Sequence, residues 1–168
     1  MPSNAFAFGT LAIGAVTGAV IDLRTRRVPN ALTLGLAASG VAAAATGVSG
    51  LTVSASLTGF AVGLALMLPG HLIAGTGAGD VKLFAASGTL VGPATIATAF
   101  IYTALAGGVL ALVVATRRRR LQRTLDATAG LVSGNAADAA AIESPLANNR
   151  FAYAPAIAVG TLLAALGV

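Results

Sequence analysis

The sequence predicts an all-α protein, a polytopic membrane helical bundle of about six transmembrane helices with a short fourth helix. Three observations predict it. The 168-residue chain is 57% hydrophobic and 9% charged, with a mean hydropathy of +0.89. Soluble domains carry about 25% charged residues, so a water-facing surface could not be covered here. Second, two long stretches, 28–79 and 83–116, contain no Asp, Glu, Lys or Arg. Third, the basic residues cluster between apolar runs, at Arg24, Arg26 and Arg27 and again at Arg117 to Arg120 with Arg123.

A helical span needs about 20 apolar residues, and that length divides the chain. Residues 1–21 supply a first span that ends at Asp22. No basic segment precedes its apolar run, and an Asp and three arginines follow it, so it reads as a retained span and not as a signal peptide. The polar turn Asp22-Leu23-Arg24-Thr25-Arg26-Arg27 comes next. Pro29 cannot continue a helix from upstream, and Asn30 is a reasonable N-cap for the following one. The run 28–79 fits two spans with a tight turn near Gly47-Val48-Ser49-Gly50, the second ending around Leu68-Pro69-Gly70-His71.

Residues 83–116 are short for two full crossings, yet Gly92-Pro93 breaks them in the middle. Charge placement decides the count. Cytoplasmic loops carry an excess of Lys and Arg, which puts the first turn and the later arginine cluster on one side. Two spans after the first turn return the chain to that side at Asp80. Two more crossings are then required before Arg117. The fourth helix must be short, or must start below the membrane surface with Asp80 already near hydrocarbon depth, and both termini lie outside.

Segment 117–150 is the sizeable polar loop, expected in the cytoplasm. Leu121, Leu125, Thr128 and Val132 fall roughly on one helical face, which suits an amphipathic helix on an anionic leaflet. Residues 151–168 provide a last, minimal span. The whole chain, 1–168, reads as one integral membrane domain. Gly14-x-x-x-Gly18 and Gly59-x-x-x-Gly63 allow close helix approach, although ordinary bundle packing accounts for them equally.

The composition also excludes chemistry. Without Cys there is no disulfide and no thiolate metal site, and a single His disfavours a His-based metal site or a Ser-His triad. The net charge of +5 sits in short clusters that suit membrane orientation, so no nucleic-acid partner is expected. Membrane lipid is the expected surroundings, and no cofactor is implied.

An acid between apolar spans is costly and reads as functional by default. Two occupy such positions, Asp22 closing the first helix and Asp80 opening the fourth. Two facing carboxylates can share a proton, one activating water as general base and the other serving as general acid. Helix ends would make Asp80 the base, since it opens a helix and Asp22 closes one. The competing reading is that each Asp marks a membrane boundary, Asp22 pairing with Arg24 or Arg26 and Asp80 with Lys82. Gly75, Gly77 and Gly79 alternate before Asp80, so an extended segment there would offer bare backbone to a peptide strand. A flexible loop leading into a helix would use the same glycines. Lys82 and Arg150 suit an acidic substrate residue or a positive-inside anchor. His71 reads as an interfacial side chain, Tyr153 as an aromatic-belt residue or a hydrogen-bonding group near the site.

Gly77-Ala78-Gly79-Asp80-Val81-Lys82-Leu83 resembles the GxGDxKL signature of the type IV prepilin peptidases, a family of membrane aspartic proteases. Asp22 through Thr33, with its basic turn and Val28-Pro29-Asn30, is similar to that family's first-aspartate motif. Arg150-Phe151-Ala152-Tyr153-Ala154-Pro155-Ala156-Ile157-Ala158 resembles the closing PYAPAIA segment, with Ala152 where Pro is usual. The resemblance implies Asp22 and Asp80 as the catalytic pair. It also implies removal of a leader from a prepilin or pilin-like precursor at the cytoplasmic face of a bacterial inner membrane. No N-terminal domain with paired Cys-x-x-Cys motifs is present in the sequence, which resembles the short Flp-type (tight-adherence) branch. Methyltransferase activity is therefore not among the expectations. Two rivals remain on the residues alone: a non-catalytic scaffold or proton- or cation-coupled transporter subunit using the same acids, and a presenilin-like intramembrane protease. A transporter would show a repeat in matching halves, and Asp22 in a membrane-edge turn argues against a deeply buried dyad.

Overall fold

The computed structural model describes residues 5–73, 76–117 and 153–167. All described secondary structure is helical: α1 (Ala5–Thr25), α2 (Asn30–Ala45), α3 (Val53–Leu72), α4 (Ala78–Arg117) and α5 (Ala154–Leu166). The expected polar-loop helix, most of the arginine cluster, Gly75 and Arg150 lie outside the described residues.

The helices end where the backbone chemistry requires. Gly47 and Gly50 take positive φ in the turn between α2 and α3, a conformation open to residues without a Cβ. Thr52 caps α3 by accepting from the Ala55 N–H at 3.1 Å. Pro29 precedes α2 in extended conformation and no side chain caps that helix. Asn30 is its first residue and not its cap, a correction explained by its engagement elsewhere.

Among the described residues five helices stand where about six spans were expected, because the fourth and fifth expected rods join at a bend and not through a loop. Gly92 has φ 79° and ψ 175°, and Pro93 follows. That backbone region is essentially restricted to glycine, and Pro93 can neither donate nor continue the preceding helix. The two arms of α4, 78–91 and 93–117, therefore fold back on each other. The Phe84 and Phe100 rings meet edge-on with centroids 6.2 Å apart. Along one straight helix those residues would stand about 24 Å apart.

Close contacts at small residues set the directions of the rods. Gly14 lies against Leu36 and Gly18 against Leu32, so α1 and α2 are antiparallel. Gly79 meets Val28 and Gly40 meets Thr89, which makes α2 and the first arm parallel. Gly59 meets Gly88 backbone to backbone and Gly63 meets Ala85, so α3 runs antiparallel to that arm. Gly107 under Tyr153 and Gly160 against Thr103 run the second arm antiparallel to α5. Asp22, the start of α4 and the start of α5 consequently share one end of the bundle.

The first arm is the centre. Val81 and every residue from Leu83 to Leu90 are buried, surrounded by the other rods. Outward faces are apolar, among them Ile13, Leu34, Leu57, Ile101, Leu105 and Val109. By length and composition α1, α3 and α4 can cross a membrane, while α2 and α5 are shorter apolar helices. Because α4 turns back at Gly92, its apolar length is a short pass followed by a longer one and not one continuous rod. Its first arm, about 21 Å long at 1.5 Å per residue, falls short of a hydrocarbon core of about 30 Å.

Candidate active site

Both acids singled out in the sequence are buried, Asp22 at 6% exposure and Asp80 at 7%. A buried carboxylate needs donors, and each has found one on the main chain. Asp80 is the third residue of α4, and its Oδ2 accepts from the N–H of Gly77 at 3.2 Å. Geometrically this is half of a capping box, a side chain reaching back to the residue before the helix. A Cβ on Gly77 would lie 3.0 Å from that oxygen, so glycine there keeps the approach open.

Asp22 lies in the last turn of α1, and its Oδ2 accepts from the N–H of Ala154 at 3.3 Å, the first residue of α5. Asp22 thus stands at the C-terminal end of α1 as well as at the N-terminus of α5, whereas Asp80 stands at a helix N-terminus alone.

The two acids stand at one end of the bundle, where α5 begins. Tyr153 directly precedes α5 and is half-buried. Its hydroxyl donates to the Thr103 carbonyl at 3.4 Å, and its ring rests on Gly107. Asp22 holds the adjoining Ala154, and the antiparallel packing of α1 on the first arm of α4 sets Asp22 level with Asp80. The same register appears one turn away, where Gly18 packs on Leu83.

The glycine run is shorter in extension than its sequence suggested. Ala78 already begins α4, so Gly79 is helical, and its bare Cα faces Val28 with a Cβ position 3.1 Å from the valine Cβ. That face is filled by the chain itself and not open to a peptide strand. Gly77 N–H is engaged by Asp80. His71 Nδ1 lies 2.9 Å from the Thr76 carbonyl, and Thr76 N–H donates to the Gly70 carbonyl at 3.1 Å. His71 thus fastens the loop ahead of Asp80 to the end of α3. Lys82 is exposed, and its Nζ donates to Asn30 Oδ1 at 3.0 Å. Among the described residues no group of three or more His, Cys, Asp or Glu gathers to hold a metal.

Sequence reasoning missed the two pairings made by Ala154 and Asn30. A main-chain N–H has no sequence signature, and Asn30 read as a cap because asparagine before a helix usually is one.

A family model described as the type IV leader peptidase family matches residues 9–112. The chain belongs to that family. No curated protein and no solved structure matches it. As a leader peptidase the protein is a protease, and the matched span covers Asp22, Asp80 and the hairpin of α4. The Tyr153–Ala154 junction that Asp22 holds lies beyond that span.

Proposed function

We propose that the protein is an aspartic endopeptidase that removes the leader from type IV prepilin-like precursors of the Flp type, with Asp22 and Asp80 as the catalytic pair. The observation that carries this reading is the burial of two acids at one end of the bundle in a leader peptidase, with Gly18 packed on Leu83 one turn above them. One carboxylate takes a proton from water as the water oxygen attacks the scissile carbonyl carbon. The other, protonated, gives its proton to the departing amine as the carbon–nitrogen bond breaks. No cofactor takes part in that cycle.

Arg24, Arg26 and Arg27 cluster at the site end of the bundle, and the later arginines of the sequence belong to the connection from the same end. The excess of basic residues in cytoplasmic loops supports a site on the cytoplasmic face of a bacterial inner membrane. The precursor would present its cleavage site there, next to its own apolar segment. Co-expression of a Flp-type prepilin with wild type, Asp22→Asn and Asp80→Asn tests the proposal, leader removal being followed by gel shift. Processing by wild type alone is the expected result, and full processing by either variant overturns the pair.

A further inference from the structure

We infer that Lys82 and Asn30 form a strut that fixes the spacing of the two aspartate-bearing segments, and that Lys82 is a positioning residue and not a substrate contact. The two residues are far apart in sequence, yet Nζ donates to Oδ1 at 3.0 Å. Asn30 lies just past the turn that follows Asp22, and Lys82 is two residues past Asp80. Three residues before Lys82 and two before Asn30, Gly79 seats on Val28, with its Cβ position 3.1 Å from the Val28 Cβ and 3.3 Å from the Val28 nitrogen. The segments 28–30 and 79–82 thus meet at two points in parallel register. A van der Waals seat alone allows sliding along the helix axis; a directed hydrogen bond nearly one turn of α4 further on removes that freedom.

The location of the ammonium argues for a bond with a purpose. It stands at the first residue of α2, the positive end of a helix, where cations are disfavoured. Helix stability therefore does not account for Lys82. Its aliphatic stem can lie along the apolar surface while the head stays in the polar rim, which suits a rigid tie at a membrane edge. With Asn30 Oδ1 occupied, the same residue that failed as a helix cap gains a role.

The rate test rests on the peptidase reading; the distance test does not. Lys82→Met, Asn30→Leu, their combination and Lys82→Arg are assayed for leader cleavage. Misplacing a catalytic group by about 1 Å can cost about 100-fold, so each single change is expected to lower kcat by about tenfold and to move KM less than about twofold. The double variant should be no worse than the poorer single, as expected for two partners in one interaction. Lys82→Arg, which keeps a donor, should stay within about threefold of wild type.

For the second readout, nitroxide labels are placed at Arg27→Cys and Ala78→Cys, both exposed positions in a chain without native cysteine. Their dipolar broadening should reveal a wider spread of distances in Lys82→Met and Asn30→Leu, and no change in Lys82→Arg. A raised KM in Lys82→Met with Asn30→Leu silent identifies a substrate contact and overturns the strut. So does an unchanged distance spread in both apolar variants, whatever the cleavage assay gives. If wild type fails to process the prepilin while the spread widens as stated, the strut stands and the peptidase reading falls.

Discussion

The two arms of α4 are both largely apolar and separated by a single glycine, yet they do opposite jobs. The first arm is enclosed by other helices and carries Asp80 at its start. The second exposes Ile101, Leu105, Val109, Leu112 and Val113 along one stripe. The difference lies in side-chain size. Ala85, Ala86, Ser87 and Gly88 let neighbours approach the first arm from every side, with Gly88 touching the backbone of Gly59. In lipid, association is driven by such close packing and by hydrogen bonds, not by burial of large side chains. Small residues therefore mark the close crossings at the centre of this bundle, where Leu83, Phe84 and Leu90 fill the space between them, while its rim is covered by large side chains.

The sharpest way to break that contrast is at the acid. Asp80→Asn should lower leader cleavage by about 1,000-fold or more, in the range of lost general acid–base catalysis, whereas Leu105→Ala on the outer arm should leave the rate within about twofold. Initial cleavage rates of purified enzyme on a prepilin peptide decide it, and a comparable loss in both variants would erase the distinction.

Next in size is packing at the close crossing. Any Cβ on Gly88 meets the Gly59 carbonyl, so Gly88→Val should destabilise the bundle by about 2–3 kcal/mol or prevent assembly. Leu105→Ala should cost less than about 0.5 kcal/mol, as for outward-facing positions generally. Reversible unfolding in bicelles measures both, and equal costs would contradict the arrangement of centre and rim.

The bend itself can be stiffened. Gly92→Ala places a Cβ at φ 79°, 3.2 Å from Leu51 Cδ2, and should cost about 1–3 kcal/mol. The same unfolding assay reports it; a neutral result would mean that the arms do not need this corner.

The smallest effect concerns polar bonds to the central arm. Ser56 Oγ donates to the Thr89 carbonyl at 2.8 Å in a fully buried position. Ser56→Ala should destabilise by about 0.6 kcal/mol, the average for interhelical hydrogen bonds in a membrane protein. A cost several times larger would show that polar contacts, and not close packing, hold the centre.

Much of this was legible in advance. Gly47 to Gly50 and Gly92-Pro93 broke the apolar runs at the observed turns because glycine and proline act through their own backbone, independent of neighbours. Asp22 and Asp80 stood out because an acid between apolar spans is rare and costly. The glycine run was read less well. Its alternation suggested an extended strand, but Asp80 reaching back to Gly77 starts the helix at Ala78, and Val28 fills the face of Gly79. Lys82 as a partner of Asn30 was not readable either, since both residues have ordinary uses at helix starts.

By itself the amino-acid sequence determined the apolar rods, the places where they stop, and the two acids that no lipid-facing surface would retain. Those follow from local terms: hydropathy, backbone freedom and the cost of a charge. Only the tertiary structure decided which rod is central, which main-chain N–H each carboxylate accepts from, and which polar pair ties the two acidic segments together. Such choices depend on the rotation and register of whole helices. They are set by contacts between small residues distant in sequence, and no single stretch of chain contains them.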